Sequence, residues 1–291
     1  MHNPSTQADT TTQKPVLITG GTGKTGRRIA DRLQRRGIPI RIASRSGDRP
    51  FDWQEPQTWD AALHGASAVY LAFSPDLAVP GTSDIVNAFV DRAVAHGVER
   101  LVLLSGRGED EAQHCETLIQ RPQLTWTVLR CGWFAQNFSE GPFLDMVKAG
   151  EVALPVPDGV REPFVDADDI ADVAVAALTE PGHGGKIYEL TGPELLTFDH
   201  VVAELAKASG RPVRFTPIPT KAFLDGLRSL GMPDGMIWLM GYLFTTVLDG
   251  RNAHLTDGVQ RALGRPPRTF TDYARSTAAT GAWASHGEAV A

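Results

Sequence analysis

Gly20, Gly23 and Gly26 stand three apart, directly behind the apolar run Val16-Leu17-Ile18 and ahead of a helical pattern. In that setting each glycine has a task. One allows the tight turn, one lets the backbone approach a pyrophosphate, and one lets the helix pack on the strand. The amides at the helix start then point at phosphate oxygens. Thr22, Lys24 and Thr25 fill the gaps of this loop, which reads as a dinucleotide cradle. Gly23-Lys24-Thr25 also looks like the end of a triphosphate-binding loop. That loop needs a glycine five places before its Gly-Lys pair, and position 18 is Ile18.

The second apolar run ends in Ala43-Ser44-Arg45-Ser46. A site for NAD places an acidic residue there to accept the ribose hydroxyls. A guanidinium flanked by the hydroxyls of Ser44 and Ser46 suits a 2′-phosphate instead, with no carboxylate to repel it. The expected cofactor is therefore NADP(H). Asp52, just after a short third strand, is placed to accept from the adenine amino group.

Further along, Ser105, Arg107 and His114 carry groups able to act on a substrate. Ser105 can hold a substrate oxygen, Arg107 an acidic or oxyanionic group, and His114 can act as an acid near neutrality. Each also has a plainer reading, an exposed helix histidine for His114 above all, and Glu109 reads as a helix cap before it reads as a base. Asp166, Asp168, Asp169 and Asp172 cluster at a helix start, where carboxylates favour the dipole. Their spacing matches no calcium loop, and no metal is expected.

The elements that must position these groups follow from the pattern. Helices at Lys24–Arg36, Asp84–His96 and Glu109–Gln120 alternate with strands at Val16–Ile18, Ile38–Ala43, Ala68–Phe73, Leu101–Leu104 and Thr125–Leu129. Strands and helices alternating at this pitch make parallel βαβ units, hence an α/β, doubly wound Rossmann sheet. After Arg130 the rhythm breaks. Residues 131–291 read as a smaller α+β, mainly substrate-binding part, with 164–192 returning to the sheet of the 15–130 domain. Asp166 and Thr197 are expected to cap helices there. The stretch from Met236 to Phe244, with Met240 and Phe244 as substrate contacts, reads as a lid, a plain core element or a subunit contact.

The order and spacing of several segments resemble the NmrA-like atypical short-chain dehydrogenases. These are Val16 to Gly26, Leu103-Leu104-Ser105-Gly106, Leu129 to Phe138 and Pro163 to Asp172. Ala43-Ser44-Arg45 and Phe51-Asp52-Trp53 look nearest to bacterial relatives of the ergot-alkaloid festuclavine and agroclavine dehydrogenases. The resemblance implies that Phe73 and Ser74, after the fourth strand, and Ser105 and Gly106, after the fifth, flank the cofactor. It implies the backbone of 132–134 near the nicotinamide carboxamide. Trp133, Phe134, Asn137 and Phe138 would line the substrate pocket, with Phe164 on its far wall. One departure stands out: between Ser105 and Arg130 there is neither Tyr nor Lys, so the usual acid pair of short-chain dehydrogenases is missing.

Composition narrows the rest. The 291 residues carry 28 Lys plus Arg against 34 Asp plus Glu, a formal charge of -6, which excludes the basic balance of a nucleic-acid binder. Arg27, Arg28, Arg32, Arg35 and Arg36 read as a solvated helix face. Two cysteines are too few for a disulfide framework, so a reducing cytoplasm is expected. No apolar run is long enough to span a membrane. Residues 1–14 read as a disordered tail without signal-peptide character. The expected partner is a hydrophobic small molecule, and the expected state a monomer or homodimer. The leading expectation is an NADPH-dependent reductase acting on an iminium, quinone or enone. A non-catalytic NADP(H)-binding redox sensor and a non-redox epimerase or cyclase are the alternatives.

Overall fold

The computed structural model describes residues 13–45 and 50–284. Ser46 and all but the end of the N-terminal tail lie outside them. The first half runs β1 (Val16–Thr19), α1 (Lys24–Arg35), β2 (Ile40–Ala43), α2 (Trp59–Leu63), β3 (Ala68–Leu71), α3 (Thr82–Ala95), β4 (Arg100–Gly106), α4 (Asp110–Leu118) and β5 (Thr125–Cys131). The second half follows with α5 (Leu144–Ala149), β6 (Glu151–Leu154), β7 (Arg161–Glu162), α6 (Ala167–Thr179), β8 (Lys186–Leu190), β9 (Leu196–Thr197), α7 (Phe198–Ser209) and β10 (Arg214–Pro217). It ends with α8 (Thr220–Ser229), α9 (Asp234–Tyr242), α10 (Gly258–Leu263) and α11 (Phe270–Ala278).

Six strands form one sheet in the order β2-β1-β3-β4-β5-β8, with every neighbouring pair parallel. The expected doubly wound sheet is therefore present. Successive side chains of a strand face opposite ways, so both faces must be apolar. Leu17, Val69, Leu101 and Leu103 pack with Val86, Phe89 and Cys115 on one face. Ile18, Tyr70, Val102 and Leu129 pack with Ile29, Leu33, Ile170 and Ala174 on the other. The strand order reverses between β1 and β3, which opens a crevice at their carboxyl ends.

The third core is aromatic and lies in the second half. Trp133, Phe138, Phe143, Phe164, Phe198, Phe244, Phe270, Tyr273 and Trp283 pack around two small sheets, β10-β6 and β7-β9. Asp166 caps α6 by accepting the Asp168 amide at 2.8 Å, and Thr197 caps α7 by accepting the His200 amide at 3.2 Å.

Two expectations need correcting. Among the described residues no further strand lies between β2 and Asp52, so Ala68–Leu71 is the third strand and Arg100–Gly106 the fourth. Ser44 and Pro50 make a lone bridge, and the Asp52 carboxylate accepts the Gln54 amide at 2.9 Å in a turn. An Asp that bonds its own backbone two residues on favours a turn over a strand. The arginine face of α1 is also more than solvated. Arg32 meets Asp168 at 2.6 Å and Asp172 at 2.7 Å, while Arg28 meets Glu140 at 2.7 Å. The acidic start of α6 and the basic stripe of α1 are thus two halves of one contact.

Candidate active site at the carboxyl edge of the sheet

The glycine loop closes over the switch point by short contacts. Gly20 takes φ +61, in the left-handed region that glycine enters freely. A β-carbon on Gly26 would overlap the Gly20 carbonyl, so this glycine serves close helix–strand packing. The Gly23 amide donates to Gly20 O at 2.9 Å. Thr19 Oγ1, buried, accepts the Ala72 amide at 2.8 Å and ties the ends of β1 and β3 together. The Tyr70 hydroxyl donates to Thr25 Oγ1 at 2.9 Å. Thr25 is therefore turned inward, a correction to its expected cofactor role.

What the loop leaves outward is Thr22 and Gly23, both exposed. Gly23 is the N-cap of α1 and no side chain caps that end. The first amides of a helix have no internal partner, so this end suits a pyrophosphate. A β-carbon on Gly141 would sit 3.0 Å from both Lys24 Cε and Asn137 Cα, which brings Lys24 and Asn137 to one place beside the loop. Burial holds the Lys24 ammonium below its usual range, against the pull of Glu140. Arg45 is exposed just past β2, and no acidic side chain lies between it and β2. These residues fit an NADP-type dinucleotide.

A profile of the NAD(P)H-binding family matches residues 20–181. The chain is 30% identical over 291 residues to NAD(P)H azoreductase of Xenophilus azovorans, covering 91% of this chain and 98% of that one. It is 32% identical over 280 residues to agroclavine dehydrogenase of Claviceps fusiformis, covering 89% and 95%. The chain belongs to the NAD(P)H-binding family. The NmrA-like resemblance stands, and with it membership of a group of NAD(P)H-dependent oxidoreductases. The fold also matches an NADPH-dependent quinone oxidoreductase from Escherichia coli solved with NADPH, with a TM-score of 0.70, 23% identity, and coverage of 90% and 99%.

Against this family background, the side chains nominated for chemistry are not all presented to a ligand. Ser105 is buried and donates to Glu116 Oε1 at 2.7 Å. Glu116 is in turn held by Arg130 at 2.5 and 2.8 Å, so the hydroxyl is committed to a structural network. Arg107 is 1% exposed. It packs against Asn252 and His254, donating to His254 Nε2 at 2.9 Å and to Asn252 O at 3.3 Å. His114 lies on the exposed side of α4, whereas Ala112, Cys115 and Glu116 face inward. In this structure Ser105 and Arg107 are thus committed to internal partners, and His114 faces outward.

The aromatic nominees divide likewise. Phe138 is 0%, Phe164 3% and Phe244 1% exposed, and each is surrounded by other rings. Trp133 packs on Phe244 with centroids 5.1 Å apart. These four form the core of the second half and offer no free face to a ligand. Phe134, Asn137, Met240 and Phe73 keep partial exposure, Phe73 packing on Trp53 at 4.8 Å. Ser74 is exposed past β3. Gly106 lies directly under the Glu109 carboxyl.

Sequence reasoning missed Asp76, Tyr242 and Glu162, which the fold gathers here with Glu109. Asp76 and Glu109 meet carboxyl to carboxyl, with Glu109 held well above its usual range by burial and then by Asp76. Tyr242 of α9 reaches the start of α4, where its hydroxyl accepts the Asp110 amide. It stacks on Trp238 at 5.4 Å, and Trp238 is 43% exposed, an apolar shelf beside the edge. Glu162 is fully buried next to Gly132 with neither oxygen bonded. Burial pushes its carboxyl up to about 7, against the pull of Arg107. The signal for Glu109 was its place at the β4–α4 junction; Asp76, Tyr242 and Glu162 had none in one dimension. Two open grooves, of about 700 and 540 Å³, lie beside β8 and over the α1 arginines.

Proposed function

We propose that this protein is an NADPH-dependent reductase that delivers hydride to an electrophilic carbon of a hydrophobic small molecule, of iminium, quinone or enone type. The observation that carries the reading is the side-chain-free N-terminus of α1 at the β1/β3 switch point, with Arg45 rather than a carboxylate past β2. The loop and Lys24 hold the diphosphate, and Arg45 with Ser44 holds the 2′-phosphate. A bound reduced nicotinamide supplies the hydride.

The chain's own residues orient the reactants and exclude water. Trp238 and Tyr242 offer a flat apolar surface to an aromatic or extended acceptor. The names of the relatives, an azoreductase and an alkaloid dehydrogenase, agree with conjugated acceptors. Cys115 and Cys131 are buried free thiols, in keeping with a reducing cytoplasm.

The test is NADPH oxidation followed against quinones, enones and cyclic iminium ions, with product analysis. Turnover of at least one class with matching reduction of the acceptor is expected. NADPH binding with no oxidation by any class contradicts the reductase and favours a sensor.

A further inference from the structure

We propose that Glu109, sharing one proton with Asp76, is the acid that protonates the acceptor as it is reduced. This assignment rests on the reductase reading above. It fills the gap left by α4, which carries neither Tyr nor Lys.

The topology brings the pair together. Asp76 follows β3 and Glu109 follows β4, neighbouring strands paired through Leu71 and Leu103, so their loops emerge side by side at the carboxyl edge. Glu109 precedes α4 but its side chain makes no cap bond. It folds back over the end of β4 into the space that Gly106 leaves by having no side chain. There it is 7% exposed, and its carboxyl hydrogen-bonds that of Asp76.

Two carboxyl groups can bond to each other only if one is protonated. The Asp76 oxygen Oδ1 already accepts the Ala78 amide at 2.9 Å, which favours the charge on Asp76 and the proton on Glu109. Glu109 Oε2 is buried with no hydrogen-bond partner, an oxygen left over by the fold.

The groups facing the pair do not remove that proton. Tyr242 comes from α9 and Cys131 from β5, and both are neutral at physiological pH. Asp110 and Arg251 face Tyr242 rather than the pair, and Arg251 is paired with Asp249 at 2.8 Å. Arg107 is turned to Asn252 and His254. A carboxylic acid kept neutral by such surroundings is a competent hydrogen-bond donor to a developing oxyanion.

The step balances simply. As a quinone or enone takes up hydride at carbon, its carbonyl electron pair moves onto oxygen. The Glu109 O–H bond breaks while the new O–H bond on the acceptor forms, and the Glu109 carboxylate regains a proton from water. An iminium carbon that accepts hydride becomes a neutral amine and needs no proton.

Glu109→Gln keeps the size and the hydrogen bond to Asp76 but cannot release a proton. Its first readout is infrared difference spectroscopy on the free protein at neutral pH. The expected result is a protonated-carboxyl C=O band in the native protein that is missing in the variant; no such band overturns the proposal. The second readout is kinetic. A fall in kcat of about 10²- to 10⁴-fold for quinones and enones, with iminium reduction and NADPH affinity nearly unchanged, supports it. Equal losses for both acceptor classes, or no loss, overturn it. Failure of the native protein to oxidise NADPH with any acceptor would remove the reductase reading instead, and the infrared band separates that case.

Discussion

A β-carbon on Gly106 would overlap the carboxyl group of Glu109. The glycine at the end of β4 is therefore there for room rather than for backbone freedom, since its φ is not among the positive ones. The space it vacates holds the acid, and the strand end and the first turn of α4 are fitted to each other.

Gly106→Ala should accordingly push Glu109 outward and cost about 1–2 kcal/mol, in the range of a mild overpacking. Glu109→Ala should remove the conflict, so the double variant is expected to be more stable than the two single effects added together. Denaturant unfolding of the four proteins measures this. Additive losses would mean that the two residues do not share that space.

Glu162 gives a pH dependence with a definite sign. Its carboxyl moves from an ordinary value of 4.5 in the unfolded chain to about 7 in the folded one, mainly because it is buried. Over that window the native state keeps a proton that the unfolded chain has released, so this group's contribution to stability falls as pH rises and stays low above it. Glu162→Gln should be more stable than the native protein by on the order of 2 kcal/mol at about pH 8, with the difference closing towards pH 5. Melting curves at both pH values check it; a loss of stability at the higher pH would mean that Glu162 is held as a useful anion.

The contacts of α6 rank themselves by burial. Asp169 is 0% exposed, accepts the Arg268 amide at 2.7 Å and lies 2.8 Å from Arg265. Asp169→Ala leaves the Arg268 amide without its acceptor while Asp172 still holds both arginines, and should cost about 1–3 kcal/mol. Arg35→Ala breaks only an exposed pair with Asp31 and should change stability by less than about 0.5 kcal/mol. Equal effects in thermal unfolding would contradict the ranking.

Asp168 and Asp172 add an acid limb. Burial alone would raise both, but their hydrogen bonds and charge attraction to arginines, Arg32 first, hold them below the usual carboxylate range. Their contribution is complete above the unfolded carboxylate values and is lost as pH falls through the lower folded ones. Arg32→Ala should flatten the acid limb of the stability profile, which urea titrations from neutral to acid pH would show. An unchanged acid limb would remove this pairing as its cause.

The sheet was legible because its signals are local. Strands such as Val16–Thr19 and Ala68–Leu71 are short apolar runs bounded by turn residues, and Gly20, Gly23 and Gly26 announce the loop between β1 and α1. The caps Asp166 and Thr197 were readable for the same reason. Thr25 was misread because only the fold shows Tyr70 beneath it. Phe138, Phe164 and Phe244 were hard to place because an aromatic stretch has the same appearance whether it lines a pocket or fills a core, and these residues stand 26 to 106 positions apart in the chain. Asp76 and Glu109 were invisible as a pair because they stand 33 positions apart, and only the β3–β4 pairing brings them together.

The central claim is a site built for a 2′-phosphorylated dinucleotide, and calorimetric titration with NADPH and NADH tests it most directly, on the native protein and on Arg45→Ala. The native protein should bind NADPH more tightly than NADH. Arg45→Ala should weaken NADPH by about 10- to 100-fold, as expected for loss of a charge-assisted contact, and leave NADH nearly unchanged. No binding of either cofactor, or equal losses for both in the variant, would contradict the account.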